Sequence, residues 1–143
     1  MIHLDTTLLV DLLREERRGG DPYPDDPSLL GPAHAFLAGR RDQPLAVSVH
    51  VSCELWAGAE CASEPARERR AVDSLLRGVT VAHPDERFAP MYGELFAELR
   101  RRGDSIPAFD LLIGTAARVD DAPLVTRNTA DFERIPGLHV LSY

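Results

Sequence analysis

Short apolar runs alternating with helical stretches predict an α/β domain with a mainly parallel five-stranded sheet flanked by helices on both faces. The 143 residues, 44% hydrophobic and 27% charged, suit one domain spanning residues 1–143 that buries roughly two-thirds of its unfolded surface. The 10 glycines and 11 prolines are scattered, and no repeat or linker divides the chain.

The elements follow in order. Ile2 to Leu4 form a short apolar run ending at Asp5, which reads as a buried first strand. Thr6 or Thr7 then caps a helix with Leu8, Leu9, Leu12 and Leu13 on its apolar side, stopped by Gly19-Gly20. Asp21 to Pro27, with three prolines and three aspartates, reads as a loop. Ser28 to Arg41 is expected to be a second helix, turning Leu29, Leu30, Ala33, Phe36 and Leu37 inward. Leu45 to Val49 is the second strand, and a helix runs from about His50 to Ala62. Pro65 opens another helix through Leu76. Val79 to Ala82 is the third strand. The next helix begins between Asp85 and Pro90 and ends in the triplet Arg100-Arg101-Arg102 before Gly103. Pro107 stands in the first turn of a helix carrying Leu111, Leu112, Ile113 and Ala116. Pro123 to Thr126 and Leu138 to Leu141 supply strands four and five.

Composition excludes several functions. No apolar run approaches the roughly 20 residues that span a bilayer. The start, Met-Ile-His-Leu-Asp-Thr, has neither the basic nor the apolar region of a signal peptide, so a cytoplasmic protein is expected. Cys53 and Cys61 lie about 12 Å apart along a helix, too far for a disulfide, and are expected to be buried, reduced thiols. The formal charge is -7, from 23 acidic residues against 16 basic ones, all of them Arg. That balance disfavours a protein that coats nucleic acid, but not a nuclease whose carboxylates hold metal ions while local arginines grip phosphates. None of the 5 histidines is paired with a plausible nucleophile, so a hydrolase triad has no basis.

In a parallel α/β sheet, function gathers beyond the C-terminal ends of the strands, where strand order reverses. Asp5 ends strand one, Glu54 lies early in the helix after strand two, and Asp110 near the start of the Pro107 helix. Asn128 and Asp131 follow strand four. Taken singly, Asp110 can be an aspartate that satisfies a helix dipole, and Glu54 an exposed helix position. Yet both stand in apolar contexts, where acids persist only when paired or metal-bound. Carboxylates about 4 Å apart at an effective dielectric near 20 repel by about 4 kcal/mol per pair. Such a cluster traps protons or binds cations, and a hard ion such as Mg²⁺ or Mn²⁺ suits oxygen ligands.

The segments Leu4-Asp5-Thr6-Thr7, Ser48 to Gly58, Asp110-Leu111-Leu112-Ile113-Gly114-Thr115-Ala116 and Leu124-Val125-Thr126-Arg127-Asn128 together resemble the PIN domain family, in particular its VapC-type toxins. The resemblance covers essentially the whole chain. It implies a Mg²⁺- or Mn²⁺-dependent endoribonuclease, usually homodimeric, restrained by a small antitoxin (VapB-like) whose tail lies in the active-site groove. Carried over by position, Asp5, Glu54 and Asp110 are the acidic metal ligands. Asn128 takes a fourth catalytic position that often holds an acid, and Asp131 could supply the missing charge as a metal ligand, directly or through a water. Thr6 matches a hydroxyl position beside the first acid, and Arg127 is placed to contact RNA. Thr7 departs from the Asn or Ser common after Asp-Thr, which puts the support of Asp5 in question. Asn128 also leaves room for another reading, a catalytically weak PIN-like module that binds protein or RNA. An aspartyl-nucleophile phosphatase would want an acid where Thr7 stands.

Overall fold

The structure, a computed structural model, describes residues 1–18 and 26–143. Among them, five parallel strands form one sheet in the order β3-β2-β1-β4-β5: β1 (Ile2–Leu4), β2 (Leu45–Ser48), β3 (Thr80–Ala82), β4 (Leu124–Val125) and β5 (Val140–Leu141). The helices are α1 (Thr6–Arg17), α2 (Pro32–Ala38), α3 (Val49–Glu60), α4 (Pro65–Arg77), α5 (Phe88–Arg102), α6 (Ala108–Val119) and α7 (Thr129–Phe132). The expected sheet is present and is wholly parallel. Successive strand side chains point to opposite faces, and Ile2, His3 and Leu4 are all buried, so both faces are covered. His3 is held inside by its Nε2–H, which donates to Asp120 Oδ2 at 2.7 Å, and burial lowers its pKa so that the ring stays neutral.

Leu8, Leu9, Leu12 and Leu13 line the inner side of α1, and full burial of each stabilises the fold by about 2 kcal/mol. The cap of α1 is Asp5, where Thr6 or Thr7 was expected: its backbone is extended and its carboxylate accepts the Thr7 N–H at 3.5 Å. The second helix is much shorter than Ser28 to Arg41. Pro32 holds the preceding Gly31 extended, so α2 begins there, and Pro27–Leu29 form a separate 3-10 turn with Leu29 73% exposed. The helix stop at Gly19-Gly20 and most of the Asp21 to Pro27 loop lie outside the described residues.

Two glycines are fixed by geometry. Gly103 ends α5 in the left-handed region at φ 72°, and Asp104 N–H returns to Leu99 O at 3.0 Å, so the expected stop closes as a Schellman turn. A Cβ at Gly114 would stand 2.3 Å from Ile135 Cδ1, so this glycine lets α6 lie against the segment after α7. Cys53 and Cys61 are free, as expected, but exposed, because the buried stripe of α3 falls on Val51, Leu55 and Ala59. Trp56, beside that stripe, is partly buried against the core. Among the described residues no helix is long and apolar enough to cross a membrane.

Candidate active site

Strand order reverses between β1 and β4, and the predicted acids meet beyond the C-terminal ends of these strands. Leu4 pairs with Val125, and Asp5 N–H donates to Val125 O at 3.0 Å, which sets Asp5 beside Thr126. Asp5 is 4% exposed, and hydroxyls from both sides fix its Oδ2: Thr7 Oγ1 at 2.8 Å and Thr126 Oγ1 at 2.7 Å. Each hydroxyl also accepts a backbone N–H of the loop after β4. Arg127 N–H reaches Thr7 at 3.2 Å, and Asn128 N–H reaches Thr126 at 2.9 Å. Thr7 therefore supports Asp5 directly, and Thr126, which sequence reasoning placed in a strand and a motif without giving it a role, is its second clamp.

Glu54 stands in α3, whose first turn is capped by Ser48 Oγ accepting Val51 N–H at 3.2 Å. Its Oε2 accepts the hydroxyl of Thr6, so Thr6 lies in the site as expected and orients an acid there. Asp110 sits in the first turn of α6. Asn128 Nδ2 donates to Asp110 Oδ2 at 3.3 Å and to Asp131 Oδ2 at 3.0 Å. The amide thus bridges two carboxylates, and Asp131 enters the cluster through it. Asp5, Glu54, Asp110 and Asn128 share a groove of about 330 Å³ with Thr6, Thr7, Arg14 and Arg127.

Electrostatics binds these residues into one unit. Burial pushes the Asp110 carboxyl up to about 6, and the negative charges of Asp5, Asp131 and Glu54 push it the same way. Among the described residues no cationic side chain pairs with Asp5, Glu54 or Asp110, while Arg127 and Arg134 pair with Asp11 and Asp131. Unneutralised oxygen donors of this kind fit a hard divalent cation. No three His, Cys, Asp or Glu side chains among the described residues stand together as a ready ligand set. Among the described residues a larger cavity, about 680 Å³, is lined mainly by apolar residues such as Leu9, Leu12, Leu37, Leu75 and Val79 and holds none of these acids.

The PIN domain family profile matches residues 26–138. A tRNA(fMet)-specific endonuclease VapC from Shigella flexneri is 35% identical over 85 residues, which is 59% of this chain and 64% of that protein, a little under two thirds of its length. Ribonuclease VapC2 from Rickettsia felis is 32% identical over 98 residues, 68% of this chain and 73% of that protein. A crystal structure of VapBC2 from Rickettsia felis, bound to a DNA fragment from their promoter, superposes with a TM-score of 0.82 at 27% identity, covering 100% of this chain and 99% of that one. The family profile and these relatives agree, and the chain belongs to the PIN domain family.

Proposed function

We propose that the chain is an endoribonuclease dependent on Mg²⁺ or Mn²⁺, and the toxin of a VapBC-type pair restrained by a small VapB-like antitoxin. The observation that carries this reading is the convergence of Asp5, Glu54 and Asp110 without a paired cation, with Asp110 raised to about 6. The names of the relatives, an endonuclease and a ribonuclease, and the VapBC2 complex among the solved structures support it. A homodimer in the cytoplasm is the form in which we expect it to act.

Asp5, Glu54 and Asp110 would hold the metal, with Asp131 adding charge beside Asn128. When bound, the metal lowers the pKa of a coordinated water and stabilises the leaving oxygen of a phosphodiester. The chain's own residues do the rest. Thr7 and Thr126 keep Asp5 in one orientation, Thr6 orients Glu54, and Asn128 supplies an amide donor between Asp110 and Asp131. Arg127 offers a guanidinium to an RNA phosphate at the same groove. Thr126→Val keeps the side-chain shape and removes the hydroxyl's hydrogen bonds to Asp5, Asn128 and Thr7. It is expected to cost about 1–2 kcal/mol in chemical denaturation and to slow cleavage about 10–100-fold, whereas Thr126→Ser keeps most of both.

The direct test incubates the antitoxin-free chain with total bacterial RNA in Mg²⁺ or Mn²⁺, with a chelator control. Cleavage abolished by chelator supports the reading, and cleavage indifferent to chelator sinks it. A second reading, a PIN-like module that binds protein or RNA without efficient chemistry, is favoured by Asn128 at the fourth position. Titration with Mn²⁺ separates the two, since such a module should bind it no better than scattered surface carboxylates.

A further inference from the structure

Asp11 has no part in the ribonuclease reading, yet Tyr143, Arg127 and Arg14 all meet its carboxylate. On α1 it follows Thr7 by four residues and precedes Arg14 by three, so the three share one helix face. Its side chain is 14% exposed. Tyr143 OH donates to Asp11 Oδ2 at 2.9 Å, Arg127 Nε lies 3.1 Å from the same oxygen, and Arg14 Nη1 lies 3.5 Å from Oδ1. Tyr143 is itself anchored, its ring meeting Phe36 edge-on at 6.2 Å between centroids.

Both arginines line the groove that contains Asp5, Glu54 and Asp110. Arg127 meets Asp11 through Nε, and its side chain is 53% exposed. A chain with net charge -7 needs such a local cationic patch to receive a polyanion. Asp11 cancels one of the two positive charges it holds. Its contribution to anion binding therefore lies in orientation, not in charge.

We infer that Asp11, braced by Tyr143, is a positioning residue that sets Arg127 and Arg14 to grip phosphates of a single-stranded RNA beside the acidic groove. The inference rests on the ribonuclease reading. Charge and orientation make opposite forecasts for Asp11→Asn, which raises the local charge by one. If charge alone mattered, RNA would bind more tightly. If Asp11 orients the arginines, binding weakens.

The experiment measures kcat and KM for RNA cleavage by the full chain. Alongside, the salt dependence of binding to a short mixed-sequence oligoribonucleotide is measured in an Asp110→Asn background. Arg127→Gln is expected to raise KM about tenfold, the scale of one charge-assisted hydrogen bond, and to flatten the slope of log K against log salt by about 0.7. Asp11→Asn should raise KM several-fold with kcat within about twofold, Asp11→Glu should restore part of that loss, and adding Asp11→Asn to Arg127→Gln should cost less than Asp11→Asn costs alone, since only the Arg14 share of its effect remains. Unchanged KM or tighter RNA binding in a folded Asp11→Asn chain overturns the inference, as do additive effects of the two changes. Loss of thermal stability with KM unchanged assigns Asp11 a purely structural role. A wild-type chain that cuts no RNA with metal present removes the ribonuclease reading and this inference together. A wild-type chain that cuts while Asp11→Asn keeps its KM removes only the inference.

Discussion

Replacing Asp110 by Asn is expected to abolish metal-dependent RNA cleavage while making the metal-free chain more stable. The loss of activity should reach about a thousandfold or more, the scale of deleting a principal charge stabiliser from an active site. The gain in stability follows from linkage. Asp110 titrates near 6 in the folded chain against an ordinary 3.8, so the folded state binds more protons between those values. The folded state is thus favoured at low pH, and this advantage is lost as pH rises through about 6. Asn carries no such penalty. The variant should match the wild type below about pH 4 and exceed it above pH 6, by about 1 kcal/mol once solvent screening of a half-buried carboxyl is allowed for. Chemical denaturation at several pH values checks this. A variant less stable than wild type at pH 8 would show that favourable contacts of Asp110 outweigh the cost of its burial and of the like charges around it.

Asp5→Ala is expected to destroy activity equally and to move stability the other way. Asp5 caps α1 and accepts the hydroxyls of Thr7 and Thr126, the latter fully buried. Its removal strips the cap and leaves two hydroxyls without their acceptor, a loss of about 2–4 kcal/mol in total. Asp5→Asn retains an acceptor oxygen and should remain folded while failing to cut. The contrast between Asp5 and Asp110 separates two ways of holding an acid in a site. One is tied into the fold by hydrogen bonds, and the other is kept there against the cost of burial and like charge. Thermal or denaturant midpoints of the two variants, measured without metal, should fall on opposite sides of the wild type.

Asp5, Glu54 and Asp110 were legible in the sequence because each follows a strand or opens a helix at the end of the sheet where a ligand crevice forms. Asn128 and Asp131 were legible as a pair, and the structure shows the amide joining Asp131 to Asp110. What sequence could not supply was which group holds which. Asp5 caps α1 although two threonines stand next to it, because its own extended backbone carries the chain out of β1. The clamp at Thr126 depends on the pairing of β1 with β4, and Tyr143 meets Asp11 across 132 positions of sequence. Neither contact leaves a local pattern. The second helix failed as an expectation for a local reason, since Pro32 outweighed the apolar spacing of Leu29 and Leu30.

The most direct measurement maps new 5′ ends in total bacterial RNA after incubation with the purified, antitoxin-free chain and with its Asp110→Asn variant. Each is run in Mg²⁺ or Mn²⁺ and again with chelator. Discrete cuts that need both the metal and Asp110 are the predicted result. Cuts that persist in the folded Asp110→Asn chain, or a wild-type chain that makes none with metal present, would contradict the assignment of Asp5, Glu54 and Asp110 as the centre of a metal-dependent ribonuclease.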